Sequence, residues 1–241
     1  MKNPKRENPS LFPSPRLSRR TEGLVFSPLA WLKLLFFLHA GDTEVGGFGV
    51  SSEDDLLYVE DFQTVKQRVS AVTVEFDDAA VADYVDRCVD QGIVPQRCMR
   101  CWIHTHPGES PDPSSTDEHT FARVFGSCDW SIIFIIGRTE KTYARLSFAA
   151  GPGASMLLPV SVDWAAWPQL VCDHADQILT LMEEWQNEYG LNIFPEEIFA
   201  MPPVSSDSSP LDHRGVDLTW QEYQDYYGLG EENFLLEEVM A

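Results

Sequence analysis

This 241-residue chain predicts an α+β or α/β layered domain, a curved and mostly antiparallel sheet flanked by helices. Three observations predict it. Residues 69–76 (Val69-Ser70-Ala71-Val72-Thr73-Val74-Glu75-Phe76) approach the apolar–polar alternation of a half-buried strand. Trp130 to Ile136 is a continuous apolar run, as expected of a strand covered on both faces. Between such runs lie stretches with helix start and stop signals, and 44% apolar residues suffice for a real core.

In order along the chain, residues 1–22 place Lys2, Lys5, Arg6, Arg16, Arg19 and Arg20 among prolines, without apolar periodicity, and read as a disordered basic tail. Pro28 to Ala40 reads as the first helix. It is too short to span a membrane, and Lys33 interrupts it. Strands are expected at 44–50, 56–60 and 69–76. Asp77 or Asp78 can cap a helix through Asp90, ended by Gly92. A strand at 98–105 leads into a loop at 106–114, broken by Pro107, Gly108, Pro111 and Pro113. A helix over 115–126 closes at Gly126, and strands at 130–136, 142–148 and 156–162 complete a domain over 23–162.

Beyond it, over 163–200, Leu170, Val171, Ile178, Leu179, Met182 and Trp185 recur at helical spacing among acids. This amphipathic helical extension packs on the domain in the simpler reading and presents a partner-binding face in the other. Residues 201–241 combine a Pro/Ser-rich linker with an acidic segment holding Trp220, Tyr223, Tyr226, Tyr227 and Phe234. That segment suits docking on the body or capture of a basic partner.

The most informative local pattern is His104-Thr105-His106-Pro107 followed by Ser114-Ser115-Thr116-Asp117, that is, His-x-His-x7-Ser-x2-Asp. On a strand, residues i and i+2 project from one face, so His104 and His106 can reach one metal ion. Ser114 or Ser115 can cap the following helix and hold Asp117 in its first turn. Two imidazoles and a carboxylate, with room for water, are the donor set of a catalytic rather than a structural zinc site. Each residue alone has an ordinary explanation: strand histidines as core or surface groups, Asp117 as a first-turn acid, Ser114 as a cap. The joint spacing does not.

At these residues the chain resembles the JAMM (MPN+, JAB-domain) zinc metalloproteases, whose motif is an upstream Glu, then His-x-His-Pro, then Ser-x2-Asp. Glu44, in Thr43-Glu44-Val45-Gly46-Gly47, matches the upstream position; Glu53, Glu60 and Glu75 are other upstream acids, but none precedes a Gly-Gly strand. The resemblance covers roughly residues 25–160. It implies one zinc ion per chain, held by His104, His106 and Asp117, with Glu44 as general base and acid and Ser114 as oxyanion donor. It also implies a JAB/MPN-like fold, hydrolysis of an amide or isopeptide bond at the C-terminus of a ubiquitin-like or sulfur-carrier protein, and a body like that of the compact prokaryotic-type members.

Composition narrows the remaining classes. Net charge is −21, with residues 161–241 carrying one Lys/Arg against seventeen acids. That disfavours nucleic-acid binding, and with it a similar DNA-repair-linked bacterial family. A non-catalytic scaffold acting through the acidic C-terminal segment is the second reading, which a complete ligand set opposes. The apolar run before Gly41 runs straight into Glu44 with no separate mature start, so it reads as a packed helix, and the protein as cytoplasmic. Five cysteines at irregular spacing form no disulfide framework. Cys98 and Cys101, expected on one strand, would point to opposite faces and make a poor chelate. His119 and His174 read as structural or surface residues, and Glu109 and Asp112 as solvated loop acids.

Overall fold

The computed structural model describes residues 23–168 and 177–196. The elements are β1 (Leu24–Phe26), α1 (Pro28–Ala40), β2 (Val45–Ser51), β3 (Tyr58–Gln63), β4 (Gln67–Val69), β5 (Val74–Phe76), α2 (Asp78–Asp90), α3 (Pro95–Cys98), β6 (Cys101–His106), α4 (Ser115–Phe125), β7 (Trp130–Gly137), β8 (Thr142–Phe148), β9 (Ala154–Leu157), β10 (Val160–Val162), α5 (Ile178–Asn192) and β11 (Ile193–Pro195). Eight strands form one sheet in the order β10-β1-β3-β2-β6-β7-β8-β9, and β11-β4-β5 form a second, smaller one. In the large sheet β1 runs parallel to β10 and β3, and β6 parallel to β7; the other four pairings are antiparallel. The fold is α+β, with a curled and mostly antiparallel sheet.

The curl follows from one segment. Leu158 N–H still donates to Ala144 of β8, whereas Pro159 accepts from Leu24 N–H and β10 then pairs with β1. Residues 154–162 thus start on one end of the sheet and finish on the other. The expected single strand over 156–162 is two strands with different partners, because Pro159 donates no backbone hydrogen bond.

Two cores sandwich the sheet. On one face Leu34 and Phe37 of α1 pack with Ile103, Ile132, Phe134 and Ile136. On the other, Tyr84 and Cys88 of α2 and Phe121 and Phe125 of α4 pack with Trp102, Ile133 and Ile135. Successive residues of β7 feed opposite cores, which is why its sequence is apolar without alternation. His104 and His106 lie in register with Trp102, on the α4 side.

Several expectations need correction. The strand expected at 69–76 is a hairpin: Ser70 and Thr73 close a turn through a backbone bond of 3.0 Å and a hydroxyl contact of 2.7 Å, and Val72 is exposed at its tip. Cys98 ends the short helix α3 that begins at Pro95, and β6 starts only at Cys101, so the two cysteines do not share the expected strand. The four described cysteines are buried free thiols. The helix at 78–90 is capped by Asp77, and Gly92 beyond its end takes φ 74°, a left-handed conformation. β1 was not expected.

The expected amphipathic helix falls partly on residues 169–176, outside the described residues; over Ile178–Asn192 it is helical. This α5 packs on α1 through Trp185 against Phe36 and Tyr189 against Phe37. Glu188 forms a 2.9 Å ion pair with the buried Lys33 and accepts the Thr64 hydroxyl, so the cation is not left without a partner. The chain then adds β11 beside β4. The basic tail at 1–22 and the segment 201–241 lie outside the described residues. Among those described, no helix is long and apolar enough to cross a membrane.

Candidate metal centre

Four side chains from three parts of the chain meet at the end of β6. Glu44, His104, His106 and Asp117 each present a ligand atom, and these atoms lie within 4.8 Å of one another. The fold explains the meeting. β2 and β6 are antiparallel with Val45 opposite Thr105, so one step further puts Glu44 opposite His106. The two approach at 3.7 Å, Oε1 to Nε2. β6 and β7 are parallel, and the connection between them carries α4, whose first turn brings Asp117 back over the strand end.

Asp117 has two tasks. Its Oδ2 accepts from Ser114 N–H at 2.7 Å while the Ser114 hydroxyl accepts from Asp117 N–H at 3.1 Å, a reciprocal capping box. The same carboxylate faces both imidazoles, Oδ1 at 3.3 Å from His104 Nε2 and Oδ2 at 3.6 Å from His106 Nε2. The 3.3 Å approach lacks hydrogen-bond alignment, since His104 Nε2 has no hydrogen-bond partner. It therefore reads as two donor atoms facing a common point. The exposed Ser114 uses its hydroxyl as an acceptor in the cap, which leaves the proton free to donate.

His106 Nδ1 lies 2.9 Å from the Ser110 carbonyl, which fixes the proton there and turns the Nε2 lone pair into the cluster. His104 is wholly buried, its ring 4.5 Å from that of Trp102, and neither ring nitrogen has a hydrogen-bond partner. His106 Nε2 is likewise without one. Buried polar atoms in this state are rare in native proteins unless water or an ion completes them. Two imidazoles, a carboxylate held by backbone, and a second carboxylate make a group that can bind a metal ion.

The electrostatics of the bare cluster point the same way. Burial pushes the Glu44 carboxyl up to about 8, against the pull of His106. Burial also lowers His104, with Asp117 opposing. For His106 burial works against the charge, yet Asp117, the Ser110 carbonyl and Glu44 raise it overall. Burial would raise Asp117, but the two histidines and Ser114 hold it well below the usual carboxylate range. A cation in the centre would favour the deprotonated form of each of these ligands.

The backbone around Glu44 is held by residues that the sequence did not single out. Glu44 N–H donates to Ser70 in the β4–β5 turn, and Val45 N–H to the Thr105 hydroxyl at 3.0 Å. The buried Gln67 amide accepts from Gly46 N–H at 2.7 Å and donates to its carbonyl at 2.8 Å. A side chain at Gly47 would sit 2.3 Å from the Gln63 carbonyl, so the Gly-Gly step permits β3 to close on β2. Thr105 had a visible signal, its place between the two histidines; Gln67 had none. The loop acids Glu109 and Asp112 are exposed and outside the four-residue group, as is His119. His174 lies outside the described residues. No family model matches this chain, and no curated protein matches it.

Proposed function

We propose that this protein is a zinc-dependent hydrolase of the JAMM type, which cleaves an amide or isopeptide bond at the C-terminus of a ubiquitin-like or sulfur-carrier protein. The observation that carries the reading is the meeting of Glu44 with His104, His106 and Asp117 around buried imidazole nitrogens that have no hydrogen-bond partner. A structural site would close all four positions with ligands. Here three ligands sit beside a fourth group suited to proton transfer.

In this reading His104, His106 and Asp117 hold the zinc, which would polarise the scissile carbonyl and acidify a water. Glu44, its carboxyl turned into the cluster, takes the proton of the attacking water and returns it to the departing amine. The Ser114 hydroxyl, anchored by its cap, donates to the oxygen that gains charge in the tetrahedral state. No cysteine has a part, in keeping with four buried thiols of which Cys98 and Cys101 are pushed up to about 12 by burial. An extended Gly-Gly tail reaching the end of β6 is the substrate geometry this reading calls for.

The test is direct. Full-length protein loaded with zinc is incubated with ubiquitin-like and sulfur-carrier proteins bearing C-terminal extensions, and products are weighed by mass spectrometry. Cleavage after the C-terminal glycine that is abolished by chelation supports the reading. Intact substrates across the panel, with zinc bound, would leave the scaffold reading in its place.

A further inference from the structure

We infer that Arg138 is a positioning residue that sets Glu44 against the metal ligands, an inference that rests on the function proposed above. Arg138 follows the last residue of β7, and Gly137 pairs with His106 in the β6–β7 register. The end of β7 is therefore the neighbour of the strand end that carries the site. From there the guanidinium turns away from its own hairpin. Nη1 donates to the carbonyls of Leu38 and Gly41, each at 2.8 Å, and Nη2 meets the Asp42 carboxylate at 2.7 Å. These are one carbonyl from the last turn of α1 and groups of the two residues that begin the link to Glu44.

The backbone of the same residue holds the other half of the site. Arg138 N–H donates to Gly108 at 2.7 Å, two residues past His106. The Glu109 carbonyl lies where a side chain on Gly137 would stand, 2.7 Å from that position, so the motif loop rests on this turn. Arg138 thus ties the Glu44 link through its side chain and the His106 loop through its backbone. Other supports act on Glu44 from the opposite direction, along β2: Thr105 on Val45 and Gln67 on Gly46. Upstream of Glu44, Arg138 gathers Leu38, Gly41 and Asp42, and a planar fork with several donors suits three acceptors at once. The Asp42 leg is minor, because that carboxylate is almost fully exposed.

The division between side chain and backbone makes the inference testable apart from metal binding. A substitution at Arg138 removes the Glu44 tether and keeps the N–H to Gly108. The experiment is a pH titration of the visible spectrum of the cobalt(II)-loaded full chain, for wild type, Glu44→Gln, Arg138→Ala and Arg138→Lys. Expected is unchanged cobalt stoichiometry in every variant. The midpoint of Arg138→Ala should move part of the way toward that of Glu44→Gln, because the Glu44 carboxylate is then held less firmly against the cluster. Arg138→Lys, with one point charge for three acceptors, should move less and in the same direction. It also decides the matter should Arg138→Ala not fold.

Wild-type midpoints in folded Arg138 variants, or loss of cobalt from them, would overturn the inference while leaving the metal site standing. A wild type that takes up no cobalt would overturn the metal reading and this inference with it.

Discussion

The two halves of the centre are built in opposite ways. His104, His106, Ser114 and Asp117 lie within one strand–loop–helix unit, and the helix cap is itself the ligand geometry. Glu44 comes from sixty residues earlier and is aligned by contacts from Ser70, Gln67, Thr105 and Arg138. The first half is local chemistry, the second tertiary assembly. Under the proposed function, the difference teaches that metal retention and turnover should be separable, because changes on the Glu44 side leave the His104–His106–Asp117 unit intact.

The largest expected effect is on the ligand side. Asp117→Ala removes a proposed ligand and the N3 arm of the capping box, so metal content should collapse and folded stability should fall. Elemental analysis with thermal unfolding checks both; a fully metallated Asp117→Ala protein would contradict the assignment. Next, Glu44→Gln should keep its metal and lose about 10²–10⁴-fold in turnover, the usual span of general acid–base catalysis. Turnover at the wild-type rate would remove Glu44 from its role. Ser114→Ala tests the cap within the strand–loop–helix unit. It should retain metal, since Ser114 N–H still reaches Asp117, while losing the oxyanion donor at a cost of about 10²–10³ in kcat.

The smallest effect concerns pH. In metal-free protein Glu44 holds its proton up to about 8, well above its ordinary 4.5, and His106 is raised as well. Groups raised on folding contribute stability that is lost as pH rises through their folded values. The opposing gain from the lowered His104 is complete by pH 6.5, and that from Asp117 lies lower still. Between pH 6.5 and 8 the metal-free protein should therefore lose stability, by about 2 kcal/mol through Glu44, with His106 acting in the same direction. Glu44→Gln should flatten this slope in melts with chelator. An equal slope in both proteins would place the titrating group elsewhere.

The same division decided what the sequence made legible. The ligand unit could be read because its geometry follows from short spacings: i and i+2 on a strand, then a cap and its third residue. Glu44 was found through its Gly-Gly neighbours, whereas Gln67 and Arg138 carry no local mark and gain their roles from pairings made across the sheet. In the fold, the run at 130–136 announced its burial on both faces. The three residues of β1 are too few to show a period. Alternation over 69–76 concealed a turn, since Ser70 and Thr73 fit a strand face as well as a hairpin bend. Pro159 was the available sign that the segment over 156–162 changes partners.

The central claim is that four side chains converge because a metal belongs between them. Zinc per chain, measured by elemental analysis on freshly purified wild type beside His104→Ala, tests it most directly. The account predicts near-stoichiometric zinc in the wild type and little in the variant, with both proteins folded. Folded wild type without zinc, or a variant that retains it, would contradict the account.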